Sequence, residues 1–305
     1  MAFNPFVARS ARVTVTVTRP DASSSTGTTT SQYVFLEHRM IIRVSIGGGR
    51  FGNAKVQVHG VPLAAMNNIA RLWPTPMQIQ AQDTLDIDVF DGSNYVPFFS
   101  GVVSWAGVNG GALPEVTLDI EANAAYGLSQ TTPAPYSATG TQTLQNVLSG
   151  ILQGSQFALD YAPSMPALTV TNPRYSGSTM DQIAACLRAF PQVAYNVVLS
   201  RLRVYPANQP LGADPILISP ATGMRNAPVY SSSAVTLETV FDPRLVPGQA
   251  IQIDSEFVLA SGAQWIAMVL NHTLEPNKPK GAWTTSLAAR GIPNANGSGK
   301  AAPTA

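Results

Sequence analysis

Between Val13 and Ala122 apolar and polar residues alternate with a period of two, the spacing of strands that bury one face. Val13, Val15 and Val17 alternate with Arg12, Thr14 and Thr16, and Met40, Ile42, Val44 and Ile46 with Arg39, Ile41, Arg43 and Ser45. The same rhythm sets Val56 and Val58 against Lys55, Gln57 and His59, and Leu85, Ile87 and Val89 against Asp86 and Asp88. It returns in Val116, Leu118 and Ile120, set against Glu115, Thr117, Asp119 and Glu121. This pattern predicts antiparallel strands with one solvated face. It breaks after Pro62, where Leu63, Met66, Ile69 and Ala70 recur at helical spacing and predict one short helix. Residues 1–125 are therefore read as a first β-barrel domain with a helical insertion, in which 21–31 form a Ser/Thr-rich loop.

Residues 126–140, with Pro133 and Pro135, read as a linker. Leu144, Val147, Leu148, Ile151 and Leu152 then follow helical spacing behind the candidate N-caps Thr141 and Thr143. Ser178-x-x-Asp181 is a capping box for a second helix, with Met180, Ile183, Ala184 and Leu187 on one face and Pro191 as its stop. With a strand at 167–171 and a hairpin pairing 195–199 with 202–205, this predicts a small α+β domain over 141–210. Strands at 235–241, 250–257, 264–270 and 284–289 predict a second β-barrel domain over 211–292, with Val246-Pro247-Gly248-Gln249 as a type II turn. The run Trp265–Leu270 is apolar on both faces. A neighbouring domain or subunit is therefore expected on each side, which makes Trp265, Ile266, Met268 and Leu270 candidate interface residues. Residues 293–305 read as a flexible tail. The fold class expected is β-rich α+β, two antiparallel β-barrel domains flanking a small α+β domain.

Composition narrows the functional classes. The 305 residues allow about two domains at roughly 150 residues each. Charged residues are only 11% of the chain, against about 25% in ordinary proteins. Eighteen Lys+Arg against seventeen Asp+Glu leave a net charge of +1, so no global field recruits nucleic acid or an anionic membrane. The single Cys186 forms no internal disulfide, and with no signal-peptide pattern the expected place of synthesis is the cytoplasm. The longest unbroken apolar run, six residues, is far short of the about 20 that a membrane helix needs.

Chemical motifs are weak. Gly47, Gly49 and Gly52 satisfy G-x-G-x-x-G after a strand, but a strand and not a helix follows, so the glycines serve a hairpin turn. Asp83, Asp86, Asp88 and Asp91 lack the glycine and the bidentate glutamate of a calcium loop. His38, His59, His272 and Cys186 are scattered with no metal-ligand spacing, and no G-x-S-x-G elbow is present. Glu115 and Glu121 share a strand face, which accounts for them without catalysis. Trp73, Trp105, Trp265 and Trp283 are read as core or interface anchors. No enzyme activity, metal or cofactor is expected.

Four stretches carry a family resemblance. FGNAKVQVHGVPLAAMNNIARL (51–72) and FFSGVVSWAGVNGGALPEVTLDIEANAAYGL (98–128) resemble the first barrel of tailed-bacteriophage baseplate hub proteins. LISPATGMRNAPVYSSSAVTLETVFDPRLVPGQAIQI (217–253) and HTLEPNKPKGAWTTSLAAR (272–290) are similar to the second. This family includes the gp27-type hub, late control protein D and the hub part of type VI secretion spike proteins. The resemblance implies a homotrimer whose six tube-like barrels match a hexameric tail tube to a trimeric central spike in the virion baseplate. Its implied partners are the spike, tail tube or tube-initiator proteins, other baseplate proteins and the tape measure, with genomic DNA passing through unbound. A type VI spike continues into an OB-fold and needle, so the spike is expected to be a separate polypeptide.

For such a conduit, Asp86, Asp88, Glu115, Asp119 and Glu121 are the expected lumen-facing residues, since an acidic wall repels phosphate. Arg39, Arg43 and Lys55 are then expected to face outward or across subunit joints. The alternative is that the two charge sets pair between subunits. A β-domain adhesin for host glycans is the runner-up reading and requires an exposed aromatic platform. A hub-borne murein hydrolase requires a carboxylate pair in a cleft.

Overall fold

The computed structural model describes residues 9–20, 28–47, 50–70, 83–112, 114–211, 214–231, 234–256 and 264–292. The expected tail at 293–305, most of the Ser/Thr-rich loop, Gly49 and Trp73 lie outside the described residues.

The period-two region forms the strands its pattern predicts. They are β1 (Ala11–Pro20), β2 (Thr28–Phe35), β3 (Met40–Gly47), β4 (Arg50–His59), β5 (Thr84–Phe90), β6 (Tyr95–Ala112) and β7 (Glu115–Asn123). Val13, Ile42, Val56, Leu85, Ile87, Leu118 and Ile120 are all buried, and burying such a side chain contributes about 1.5–3 kcal/mol. Helix α1 (Leu63–Ile69) starts behind Pro62 and turns Met66 and Ile69 into the core. Gly47 ends β3 at φ +97 and pairs with Arg50, so β3 and β4 are hairpin partners and a strand, not a helix, follows the glycine-rich motif.

The middle region holds α2 (Tyr126–Gln130), β8 (Tyr136–Ser137), β9 (Thr141–Thr143), α3 (Leu144–Leu152), β10 (Ala158–Tyr161), β11 (Thr169–Thr171) and β12 (Arg174–Tyr175). After these come α4 (Thr179–Leu187), β13 (Val193–Val198) and β14 (Arg201–Pro206). Thr143 caps α3 by accepting from the Asn146 amide, and Ser178 and Asp181 exchange both bonds of the predicted capping box on α4. The α2 turn inside the expected linker is an addition that sequence reading missed. The hairpin β13–β14 turns on Leu199 and Ser200 at φ 50 and 57, without glycine.

The last region holds β15 (Ile216–Ile218), β16 (Val229–Tyr230), β17 (Ala234–Val240), β18 (Ala250–Ile253), β19 (Gln264–Leu274) and β20 (Trp283–Gly291). Gly248 at φ 90 and the 3.1 Å bond from the Gln249 amide to the Val246 carbonyl make the predicted type II turn.

The expectation of two separate barrels meets one sheet. Its hydrogen-bonded order is β16-β17-β20-β19-β3-β4-β7-β6-β5-β1-β2, with β18 and β15 branching from β19. The two β-rich stretches are joined edge to edge by β3 and β19. One core cluster runs under the first stretch and the α+β region and takes in Phe241, Leu274 and Trp283; a smaller one lies within the last stretch. Alternation marks which face of a strand is buried and leaves open which strand lies beside it. No helix among the described residues is long and apolar enough to cross a membrane.

Candidate functional site

The sheet contains one strand order twice. In the first stretch β4 pairs β7, β7 pairs β6 and β6 pairs β5; in the last, β17 pairs β20, β20 pairs β19 and β19 pairs β18, all antiparallel. A hairpin partner precedes each set, β3 on β4 and β16 on β17. The bulges coincide as well. The register of β6 on β7 shifts between Val103 and Trp105, and that of β19 on β20 shifts between Ala267 and Val269. Just before each bulge the chain makes the same bond, Val103 amide to Asp83 carbonyl at 2.8 Å and Ala267 amide to Gln249 carbonyl at 3.0 Å. With the bulges aligned, Ala106 corresponds to Leu270, Ile120 to Leu287 and Val56 to Leu237, all buried.

The two repeats meet at the β3–β19 seam, where Gly47 faces Val269, Ile46 Leu270, Ser45 Asn271 and Ile42 Leu274. The glycine is required there, because a Cβ on Gly47 would run into the Met268 carbonyl oxygen. Ser45 Oγ donates to Asn271 Oδ1 on the polar face of the seam. On its core face His272 is enclosed edge-on by Phe98 and Phe241, with centroids 5.0 and 5.4 Å away, and Trp283 in turn meets Phe241 edge-on. The His272 Nδ1 lies 2.9 Å from Thr285 Oγ1, and complete burial pushes the imidazole pKa down to about 3.

All five candidate acidic residues stand on the polar side of the sheet, but basic residues stand among them. Lys55 Nζ contacts Glu121 at 2.5 Å and Arg12 contacts Asp88 at 2.8 Å while lying over the Tyr95 ring. Asp119 accepts from Asn109 and Thr117, Glu115 stands 3.9 Å from His59, and Asp86 sits between Thr14 and Ser100. The expected separation of acidic from basic strands is therefore corrected: in cross-strand register Arg43, Lys55 and Glu121 form one row that ends on Trp105. Neighbouring strands of an antiparallel sheet put opposite charges within reach, and pairing within the chain follows. Clefts open on this side among the described residues. One of about 490 Å³ is lined by Arg39, His59, Met66 and Glu115, and one of about 170 Å³ by Arg43, Lys55, Trp105 and Glu121. Among the described residues no group of three His, Cys, Asp or Glu could hold a metal.

The candidate interface run is also redistributed. Ile266 and Leu270 are fully buried within the chain, and Trp265 is half-buried against Tyr230, with ring centroids 6.4 Å apart. Only Met268, at the bulge, is exposed (37%). The bulge turns the inward face from Trp265 and Ala267 to Leu270 and His272, and Ile266, which points the opposite way, is buried as well, so the run is covered on both faces at that point within the chain. Arg290, across from Ile266, reaches over to the Ala207 carbonyl and Asn208 of the α+β region. The Cys186 thiol is buried beside Tyr175, whose phenol burial and that neighbour push up to about 12; it is a core residue.

No protein-family profile and no curated sequence matches the chain. Solved structures do. A tail protein from Neisseria meningitidis MC58 superposes over 92% of this chain and 96% of its own, with a TM-score of 0.61 at 9% identity. The 43 kDa tail protein of prophage MuSo2 from Shewanella oneidensis gives the same coverage at a TM-score of 0.60 and 6% identity. An E. coli component of the type VI secretion system, described as structurally similar to the T4 tail proteins gp27 and gp5, covers 84% of this chain and 74% of its own, with a TM-score of 0.56 at 9% identity. The fold is that of bacteriophage tail proteins and of this type VI secretion component.

Proposed function

We propose that this chain is a structural tail protein, a trimeric baseplate hub that joins a hexameric tail tube to a trimeric central spike and forms part of the DNA conduit. The observation that carries the reading is the repeated strand order with its coincident bulges. A chain holding two like units gives a trimer six like units, the count needed to face a sixfold ring on one side and a threefold spike on the other. The tail-protein fold supports the same reading. The low charge suits permanent burial of surface in an assembly.

In this reading the polar face of the sheet lines the channel. Its paired Lys55–Glu121 and Arg12–Asp88 then make a nearly neutral wall, which offers phosphate few free cations. The partners are the spike, tube or tube-initiator proteins, other baseplate subunits and the tape measure, and no catalysis is assigned. Glycan adhesion fits less well, because Trp105 is the one exposed large aromatic among the described residues and it lies against Gly107. Native mass spectrometry of the purified chain tests the proposal. A mass of three 32.2 kDa chains is expected, alone or on addition of the spike, and a strict monomer under both conditions overturns it.

A further inference from the structure

The α+β region meets the two repeats through joints of different chemistry. Toward the first repeat the joint is apolar. Leu128, Leu148, Ile183, Val197 and Leu202 share one buried cluster with the strands of the first stretch, and Tyr195 of β13 lies against Phe51 of β4 with ring centroids 6.3 Å apart. Among the described residues, none from the α+β region belongs to the smaller cluster within the last stretch.

Toward the last repeat the joint is polar. Asn196 Nδ2 donates to the Pro247 carbonyl at 3.3 Å and the Leu211 amide to the Gly248 carbonyl at 2.8 Å. The Arg290 guanidinium donates to the Ala207 carbonyl and, at 3.1 Å, to Asn208 Oδ1. Leu211 and Tyr205 close on Gly248 so tightly that a Cβ there would stand 2.7 Å from the one side chain and 2.9 Å from the other. Two polar atoms are left over in this joint. Asn196 Oδ1 and Arg290 Nε are buried and make no hydrogen bond among the described residues. A buried polar atom without a partner forfeits the bond that water would give it, so closing this joint gains less than its contacts suggest.

The polar joint sits at one end of the β3–β19 seam, where the Gly248 amide donates to the Ala267 carbonyl at 2.8 Å and Arg290 faces Ile266. At the other end, past Leu274, the loop to β20 is pinned to the first stretch. Asn277 Nδ2 donates there to the Leu36 and His38 carbonyls at 2.8 and 3.0 Å, and Arg9 to the Gly281 carbonyl at 3.2 Å. We infer that the polar joint is a latch, which opens at the Gly248 end while the seam and its pinned end stay closed, so that the last repeat pivots against the α+β region. Opening hydrates Asn196 and Arg290 and breaks no strand ladder, and contacts of that kind open locally well before the whole chain unfolds. The latch belongs to a single chain and does not depend on the trimeric reading. In a trimeric hub it would set the angle between the two repeats.

Hydrogen exchange of the full chain, read by mass spectrometry of its peptides, tests the latch. Peptides covering 207–211 and 246–249 report the joint from its two sides, and those covering 42–47 and 269–274 report the seam. Arg290→Ala is expected to speed exchange in both joint peptides together, by about tenfold, and to leave the seam peptides unchanged. Asn208→Ala, a change at an exposed residue that removes one of the Arg290 bonds, should speed the same two peptides by a smaller factor and serves should Arg290→Ala not fold. Seam peptides that accelerate along with the joint would make the two one cooperative unit and overturn the latch. Unchanged exchange in the joint peptides, or acceleration on one side of the joint alone, would overturn it as well.

Discussion

Ser45 Oγ donates a 2.8 Å hydrogen bond to Asn271 Oδ1 across the seam where β3 of the first repeat meets β19 of the last. The two residues are 226 positions apart, and their strands form one ladder. The bond is exposed and neutral, so it contributes at most about 1 kcal/mol. What fixes the seam is backbone approach two residues further on.

Gly47→Ala tests that approach. The added Cβ meets the Met268 carbonyl, and the position sits at φ +97, where an L residue is strained. A loss of at least about 2 kcal/mol is expected, most of it from backbone strain and the clash. Ser45→Ala should cost less than half as much. Chemical denaturation of both variants gives the comparison.

His272 makes the fold acid-sensitive. Burial holds its folded pKa near 3, while the unfolded chain titrates at about 6.5, so below 6.5 the unfolded state binds a proton that the folded state excludes. Stability is complete above pH 6.5 and falls as the pH drops toward 3, by about 2 kcal/mol between pH 7 and 5. Thermal unfolding of His272→Gln should show a shallower decline over that range than the native chain. Parallel declines would remove the imidazole as the cause.

Ser200→Gly should stabilise the chain. Ser200 follows Leu199 in a two-residue hairpin turn with both residues at positive φ, a conformation that glycine adopts without steric cost. The gain expected is about 1 kcal/mol, read as a raised unfolding temperature. An unchanged or lowered midpoint counts against strain at this turn.

Two ion pairs on the polar face should differ. Lys55 is well exposed and Glu121 partly so, and Lys55→Ala should therefore change stability by less than about 0.5 kcal/mol. Arg12 makes two bonds to the mostly shielded Asp88 and lies on Tyr95, so Arg12→Ala should cost about 1–2 kcal/mol. Urea unfolding of the two variants side by side decides whether the order holds.

Local physics was legible in the sequence and long-range pairing was not. Alternation marked Ile42, Val56, Leu118 and Ile120 as core, Ser178 and Asp181 announced the start of α4, and Pro247-Gly248 announced its turn, because each signal lies within a few residues. Within the apolar run Trp265–Leu270 the sequence could not show the bulge at Met268 that reverses which face is inward, because one extra residue leaves no mark in composition. The segregated acidic wall failed for a related reason: Lys55 and Glu121 are adjacent only once β4 and β7 are known to be neighbours. The repeat lies in pairing order and bulge position, and Trp105 and Val269 occupy equivalent places with no likeness of side chain.

Electron-microscopic averages of the purified trimer, viewed down its axis, test the central claim most directly. The account predicts a ring of six similar lobes around an open channel, each chain supplying two of them. Three lobes, or a closed centre, would contradict it.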